Sequence, residues 1–169
     1  MKKLLLFTLA LLMTLSLAAC GGEYGESVTM VDVTTEQGIK LKLPSDMTKQ
    51  SEAAYANMGT GDVVSFGVSE IGGFPLSDWK EETVLTTYSS KYENVVIKSF
   101  ENGKQINGKE ALVSELTLTT PKGNALTMVL VMVTDDKYNY VVSFAYGSEK
   151  TDGSLAKNLQ TCIDSIRIK

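Results

Sequence analysis

Two neighbouring segments constrain this chain more than any others. Leu126 to Val133 (LTMVLVMV) is apolar at almost every position, which suits a strand buried on both faces. Asp135-Asp136-Lys137 turns the chain, and Tyr138 to Tyr146 (YNYVVSFAY) follows. There Tyr138, Tyr140, Val142, Phe144 and Tyr146 share one face, while Val141, Ser143 and Ala145 share the other. A sheet with such strands at its centre needs cover above and below. The remaining sequence has to supply it.

Further strands come from alternation. Val28–Thr34 and Ile39–Leu43 predict a hairpin around Glu36-Gln37-Gly38, stopped by Pro44-Ser45-Asp46. Glu52–Ala56 fits a helical turn, Gly59–Asp62 a loop, and Val63–Ile71 a third strand. Asn94–Phe100 and the segment to Ile106 lead into Asn107-Gly108, a type I′ turn signal. Glu110–Thr120 then places Leu112, Leu116 and Leu118 on one face. Two helices are expected. The first follows Pro75, capped by Asp78 with Glu81 three residues on, and runs to about Tyr92 with Trp79, Leu85, Tyr88 and Tyr92 inward. The last spans about Ser154–Ser165 and buries Leu155, Leu159, Cys162, Ile163 and Ile166. One helix on each face gives an α+β fold: a central, mainly antiparallel β-sheet flanked by helices, an α/β/α sandwich.

The N-terminus speaks to location. Lys2 and Lys3 precede a leucine-rich run that ends in Leu17-Ala18-Ala19-Cys20. A basic start, a short apolar stretch and small residues before a cleavage point make a secretory signal. The cysteine after them makes it resemble a bacterial lipoprotein signal, in which Cys20 carries diacylglycerol and becomes the mature N-terminus. The run is too short for a spanning helix, which needs ~20 apolar residues. The expected organisation is a signal peptide over 1–19, a lipid-proximal tether over 20–27 (flexible by its glycine-rich composition) and a domain over 28–169. The expected address is the cell membrane, lipid-anchored on the extracytoplasmic face.

Composition then removes chemistry. The chain has no histidine, so a Ser-His-Asp triad and the commonest transition-metal ligand are both absent. Without Lys2 and Lys3, the 16 basic residues fall to 14 against 20 acidic ones, and no basic run remains. Such a surface repels phosphate backbones, so nucleic acid is not an expected partner. With Cys20 lipidated, Cys162 has no disulfide partner and reads as a buried thiol. Glu81-Glu82 suits a helix start, and Asp135-Asp136 a turn stabilised by local backbone hydrogen bonds. Gly59-Thr60-Gly61 lacks the strand-to-helix context of a phosphate loop. The sequence therefore predicts no catalytic residue, no metal site and no cofactor. Its remaining candidates for contact are Phe74 and Trp79 beside Gly72-Gly73, as a partner surface.

The order of elements also carries a resemblance. GIKLKLPSDM, VVSFGVSEI, LSDWKEETVLTTYSSKY, the paired section beginning INGKEALVSELTLTT, and SLAKNLQTCIDSIRI together resemble the PsbP/DcrB-like group. The likeness covers the whole mature domain and implies the same α/β/α sandwich. It also implies a non-enzymatic binding or assembly module, and it carries over no functional residue. The functional expectation is thus a membrane-anchored module that recruits an envelope protein through loops such as Gly59–Asp62 and Gly72–Phe74. The alternative is a small-ligand carrier with a pocket between helix and sheet.

Overall fold

The computed structural model describes residues 28–72 and 75–169. Cys20 and Phe74 lie outside the described residues. Among the described residues nine strands and two α-helices follow in the order β1 (Met30–Thr34), β2 (Lys40–Pro44), β3 (Thr48–Ser51), β4 (Ala54–Asn57), β5 (Asp62–Glu70), α1 (Glu81–Ser89), β6 (Glu93–Ile106), β7 (Lys109–Thr119), β8 (Ala125–Thr134), β9 (Tyr138–Gly147) and α2 (Ser154–Asp164). Seven strands form one sheet in the order β3-β4-β5-β9-β8-β7-β6, and every neighbouring pair is antiparallel.

The two-faced strands lie inside the sheet, and each of their faces feeds a separate core. Val129, Val131, Val133, Tyr140, Val142, Phe144 and Tyr146 join Leu155, Cys162, Ile163 and Ile166 on the α2 side. Met128, Leu130, Met132, Val141 and Ala145 join Leu112, Leu116, Leu118, Val84 and Tyr88 on the α1 side. The sandwich expected from the pattern is the one observed. Burial of both faces removes these side chains from water at about 25 cal/mol per Å² of apolar area.

The structure revises four local readings. The β1-β2 hairpin forms but stands apart as its own two-stranded sheet. Its inward residues Val33, Leu41 and Leu43 extend the α2-side core, and Lys40 bridges to Arg167 behind α2. Glu52–Ala56 is not helical. Ala54–Asn57 pairs with β5, where the buried Ala54 and Ala56 lie opposite Ser65 and Val63. Helix propensity loses there to the ladder hydrogen bonds that the neighbouring strand offers.

The first helix starts later than expected. Leu76–Asp78 is a 3₁₀ turn, and Trp79 and Lys80 are extended (ψ 127° and 160°). Asp78 therefore cannot cap the helix. Lys80 occupies the cap position without a side-chain bond, and Glu81 and Glu82 supply the first-turn charge. Asn102 of β6 fixes this break, because its Nδ2 donates to the carbonyls of Leu76 and Trp79, both at 2.9 Å. The shift turns the stripe: Val84 is fully buried, while Leu85 is 37% exposed. The helix ends at Ser89, so Tyr92 packs from beyond it.

The register gives the domain two poles. At the proximal pole the chain enters at Thr29, beside the β2-β3 turn, the β4-β5 turn, residues 120–124 and the β9-α2 connection. At the distal pole lie residues 71–72 and 75–80, the β6-β7 turn, the β8-β9 turn and the C-terminus of α2. Asn107 ties that end together. Its φ of +48° and the +78° of Gly108 make the tight turn, and its Nδ2 donates to the carbonyls of Asp164 (2.9 Å) and Ile166 (2.7 Å). A hairpin turn thus satisfies carbonyls that the helix end leaves open.

Candidate functional site

The structure separates the loops that the sequence offered as contact surfaces. Gly59–Asp62 lies at the proximal pole, and Trp79 at the distal pole. Of the first loop, Thr60 and Asp62 are buried, so it is largely a structural turn. Trp79 is half-buried and packs on the α1-side core, its backbone held by Asn102.

The densest polar cluster belongs to the proximal pole. Asp46 Oδ2 accepts from Ser154 Oγ at 2.7 Å and from Asn57 Nδ2 at 2.9 Å. Lys150 Nζ donates to the Thr60 carbonyl at 2.9 Å. Asp62 is 1% exposed, and neither carboxylate oxygen has a hydrogen bond of ordinary geometry. A Cβ built on Gly153 would sit 3.5 Å from Asp62 Oδ2, which places the carboxylate against the N-cap of α2. That helix has no acidic residue in its own first turn and no side-chain cap. Asp46 and Asp62 supply the missing negative charge from other elements. Burial pushes the Asp62 pKa up, the charge of Asp46 adds to the rise, and the Thr60 hydroxyl and the Lys150 ammonium offset part of it. Sequence inspection missed this cluster because its members span more than a hundred positions.

The other candidates resolve as structure. Asp135 Oδ1 accepts from the backbone of Lys137 (2.7 Å) and Tyr138 (2.6 Å), and Oδ2 from the Tyr140 hydroxyl (3.0 Å). Burial acts to raise its pKa, but these bonds together prevail and lower it. The local hydrogen bonding expected for this turn is what forms. Cys162 is fully buried, and burial pushes its thiol up to about 12, which makes it a poor nucleophile. The chain carries two Ser-x-x-Lys spacings, Ser77–Lys80 and Ser154–Lys157. Neither forms an activated serine. Ser154 Oγ donates its hydrogen bond to Asp46 with Lys157 exposed, and Ser77 sits exposed in the 3₁₀ turn. Between α2 and the sheet, one of the two helix–sheet spaces of the fold, Leu155, Cys162 and Ile166 share one buried cluster with Val64 and Phe144. Among the described residues no group of three or more acidic or cysteine side chains converges as a metal site. No helix among them is long and apolar enough to cross a membrane.

No family model and no curated protein matches the chain. Solved structures do. The cyanobacterial PsbP protein CyanoP from Synechocystis has a TM-score of 0.59 at 14% identity, covering 90% of this chain and 99% of that one. LpqN of Mycobacterium tuberculosis, described as involved in cell envelope biogenesis, has a TM-score of 0.54 at 11% identity, covering 85% and 92%. A Pseudomonas aeruginosa protein of unknown function, described as a putative regulator, has 0.54 at 13%, covering 83% and 97%. The class defined is an α+β sandwich of antiparallel sheet and two helices. The particular fold is PsbP-like, as the order of elements implied.

Proposed function

We propose that this chain is an extracytoplasmic lipoprotein, anchored through Cys20, that works as a non-catalytic binding or assembly module for an envelope protein. The observation that carries the reading is Leu17-Ala18-Ala19-Cys20 placed ahead of a domain without a catalytic constellation. It is supported by the PsbP-like fold and by a fold neighbour whose description places it in cell envelope biogenesis. The absence of histidine and the inert, buried Cys162 support a non-catalytic role. Residues 1–19 act as the signal, residues 20–27 as the tether, and the loop carrying Phe74 and Trp79 as the surface offered to a partner. In this reading the partner is a protein, and nucleic acid is excluded by the acidic balance.

Two measurements test it. Fractionation of cells carrying Cys20→Ala should move the chain out of the detergent phase, and retention there with the signal removed would sink the anchor. A photo-crosslinker placed at Lys80 should capture one protein species in intact cells. Trp79→Ala should abolish that capture while leaving the far-ultraviolet circular dichroism unchanged. Equal capture with and without Trp79 would assign docking elsewhere.

A further inference from the structure

The point at which the chain enters the domain is fixed by hydrogen bonds. Ser45 N donates to the Thr29 carbonyl at 2.8 Å, and Thr29 N donates to Ser45 Oγ at 3.3 Å. The next residue, Asp46, accepts from Asn57 at 2.9 Å. Asn57 in turn closes its own turn: Oδ1 accepts from Gly59 N (2.9 Å) and Thr60 N (3.2 Å), and its carbonyl accepts from Gly61 N (2.8 Å). Met58 sits on that braced turn and is 58% exposed, more than any other large apolar side chain among the described residues. Exposed apolar residues scattered singly are ordinary. Here they share an end. Val31 is two residues past Thr29, and Val96 is near the start of β6, in the proximal half with Met58. Leu85 lies midway along α1, and among the described residues the distal pole has no exposed large apolar side chain.

Covalent reach adds to this bias. Cys20 to Ser27 is eight residues, which span at most about 29 Å when extended. The fourteen-residue β6 runs from pole to pole, about 46 Å at ordinary strand rise. The tether is therefore shorter than the domain it holds. Exposed charge near the proximal pole is of both signs: Lys49, Lys91, Lys122, Lys150 and Lys157 stand with Glu52, Glu93, Glu149 and Asp152. There is no basic cluster of the kind that binds anionic lipid, so the contact inferred here is an apolar one.

We infer that the proximal pole, led by Met58, rests on the lipid surface to which the chain is anchored, and that the distal pole with Trp79 is turned outward. The inference rests on the Cys20 anchor proposed above. It makes Met58 an interfacial contact of the kind amphipathic surfaces make with the headgroup boundary. It also gives the distal loop its role, since a partner approaching from outside meets that pole first.

Single-site fluorescence tests it on the full chain, purified with its lipid and reconstituted into phosphatidylcholine vesicles with brominated acyl chains. Glu149→Cys reports the proximal pole and Ser77→Cys the distal one. The native Cys162 stays silent because it is fully buried. A thiol-coupled fluorophore at position 149 should be quenched roughly two-fold more than one at 77, as interfacial contact requires. Met58→Gln should remove most of that difference, and high salt should not. Equal quenching at both positions on vesicle-bound protein would overturn the orientation while leaving the anchor standing. Quenching lost in high salt would overturn the apolar contact. Protein that fails to float with the vesicles would overturn the anchor itself, and the orientation with it.

Discussion

Asp62 and Asn107 show how single residues tie distant segments together. The carboxyl of Asp62 is held above the ordinary aspartate range by burial. The folded state therefore binds a proton that the unfolded chain has already released. Its contribution is most favourable below the unfolded value and is lost as pH rises through the folded one. Asp62→Asn should remove that dependence. Denaturant midpoints across the acid-to-neutral range should show the variant gaining on the native chain as pH rises. A constant difference would mean that Asp62 titrates normally. Asn107 is a different case. Asn107→Gly keeps the left-handed turn but loses both bonds to the end of α2, a cost of about 1–3 kcal/mol for two hydrogen bonds. Urea unfolding should show a lower midpoint at unchanged slope. The turn role of Asn107-Gly108 is legible in the sequence, because type I′ geometry demands such residues. Its capping role is not, because the helix it serves lies more than fifty residues away.

Among the elements, α1 is the sharpest test of packing against pattern. The sequence places Trp79, Leu85, Tyr88 and Tyr92 inward. Tyr88 is buried and Trp79 and Tyr92 pack against the same core, while Val84 takes the inward place expected of Leu85. Val84→Ala should cost about 2 kcal/mol, from roughly 0.8 per buried methylene plus the cavity left behind. Leu85→Ala should cost under about 0.5 kcal/mol. Equal effects in thermal unfolding would restore the sequence-based stripe. In α2, by contrast, the periodicity of Leu155, Cys162, Ile163 and Ile166 was strong enough to read directly. Edge strand β6 is long, yet it carries register shifts at Glu93/Val96, Ile97/Ser99 and Asn102/Lys104. Such bulges blunt an edge against pairing with other chains, and the last of them places Asn102 to hold the Trp79 loop.

For the whole molecule, burial on both faces should set the order of opening. Amides of β8 and β9 have paired neighbours on either side and a core above and below, so they should exchange only with global unfolding. Those of the short edge strand β3 and of the separate β1-β2 sheet should exchange by local opening. Native-state hydrogen exchange reads this directly, and β3 amides as slow as those of β9 would contradict it. The sandwich itself is legible in the sequence. Leu126–Val133 and Tyr138–Tyr146 are apolar on two faces, and only a layer on each side can hide both. Composition likewise disposed of histidine chemistry, because an absent residue has no tertiary context. What only the tertiary structure decided were relations between segments distant in sequence. It set the β1-β2 hairpin apart from the main sheet, moved the start of α1 to Glu81 and assembled Asp46, Asp62, Lys150 and Ser154 at the start of α2. It also sent Gly59–Asp62 and Trp79 to opposite poles. Local pattern records which faces must be buried. It carries no information on which distant segment arrives to bury them, and that choice is made by packing.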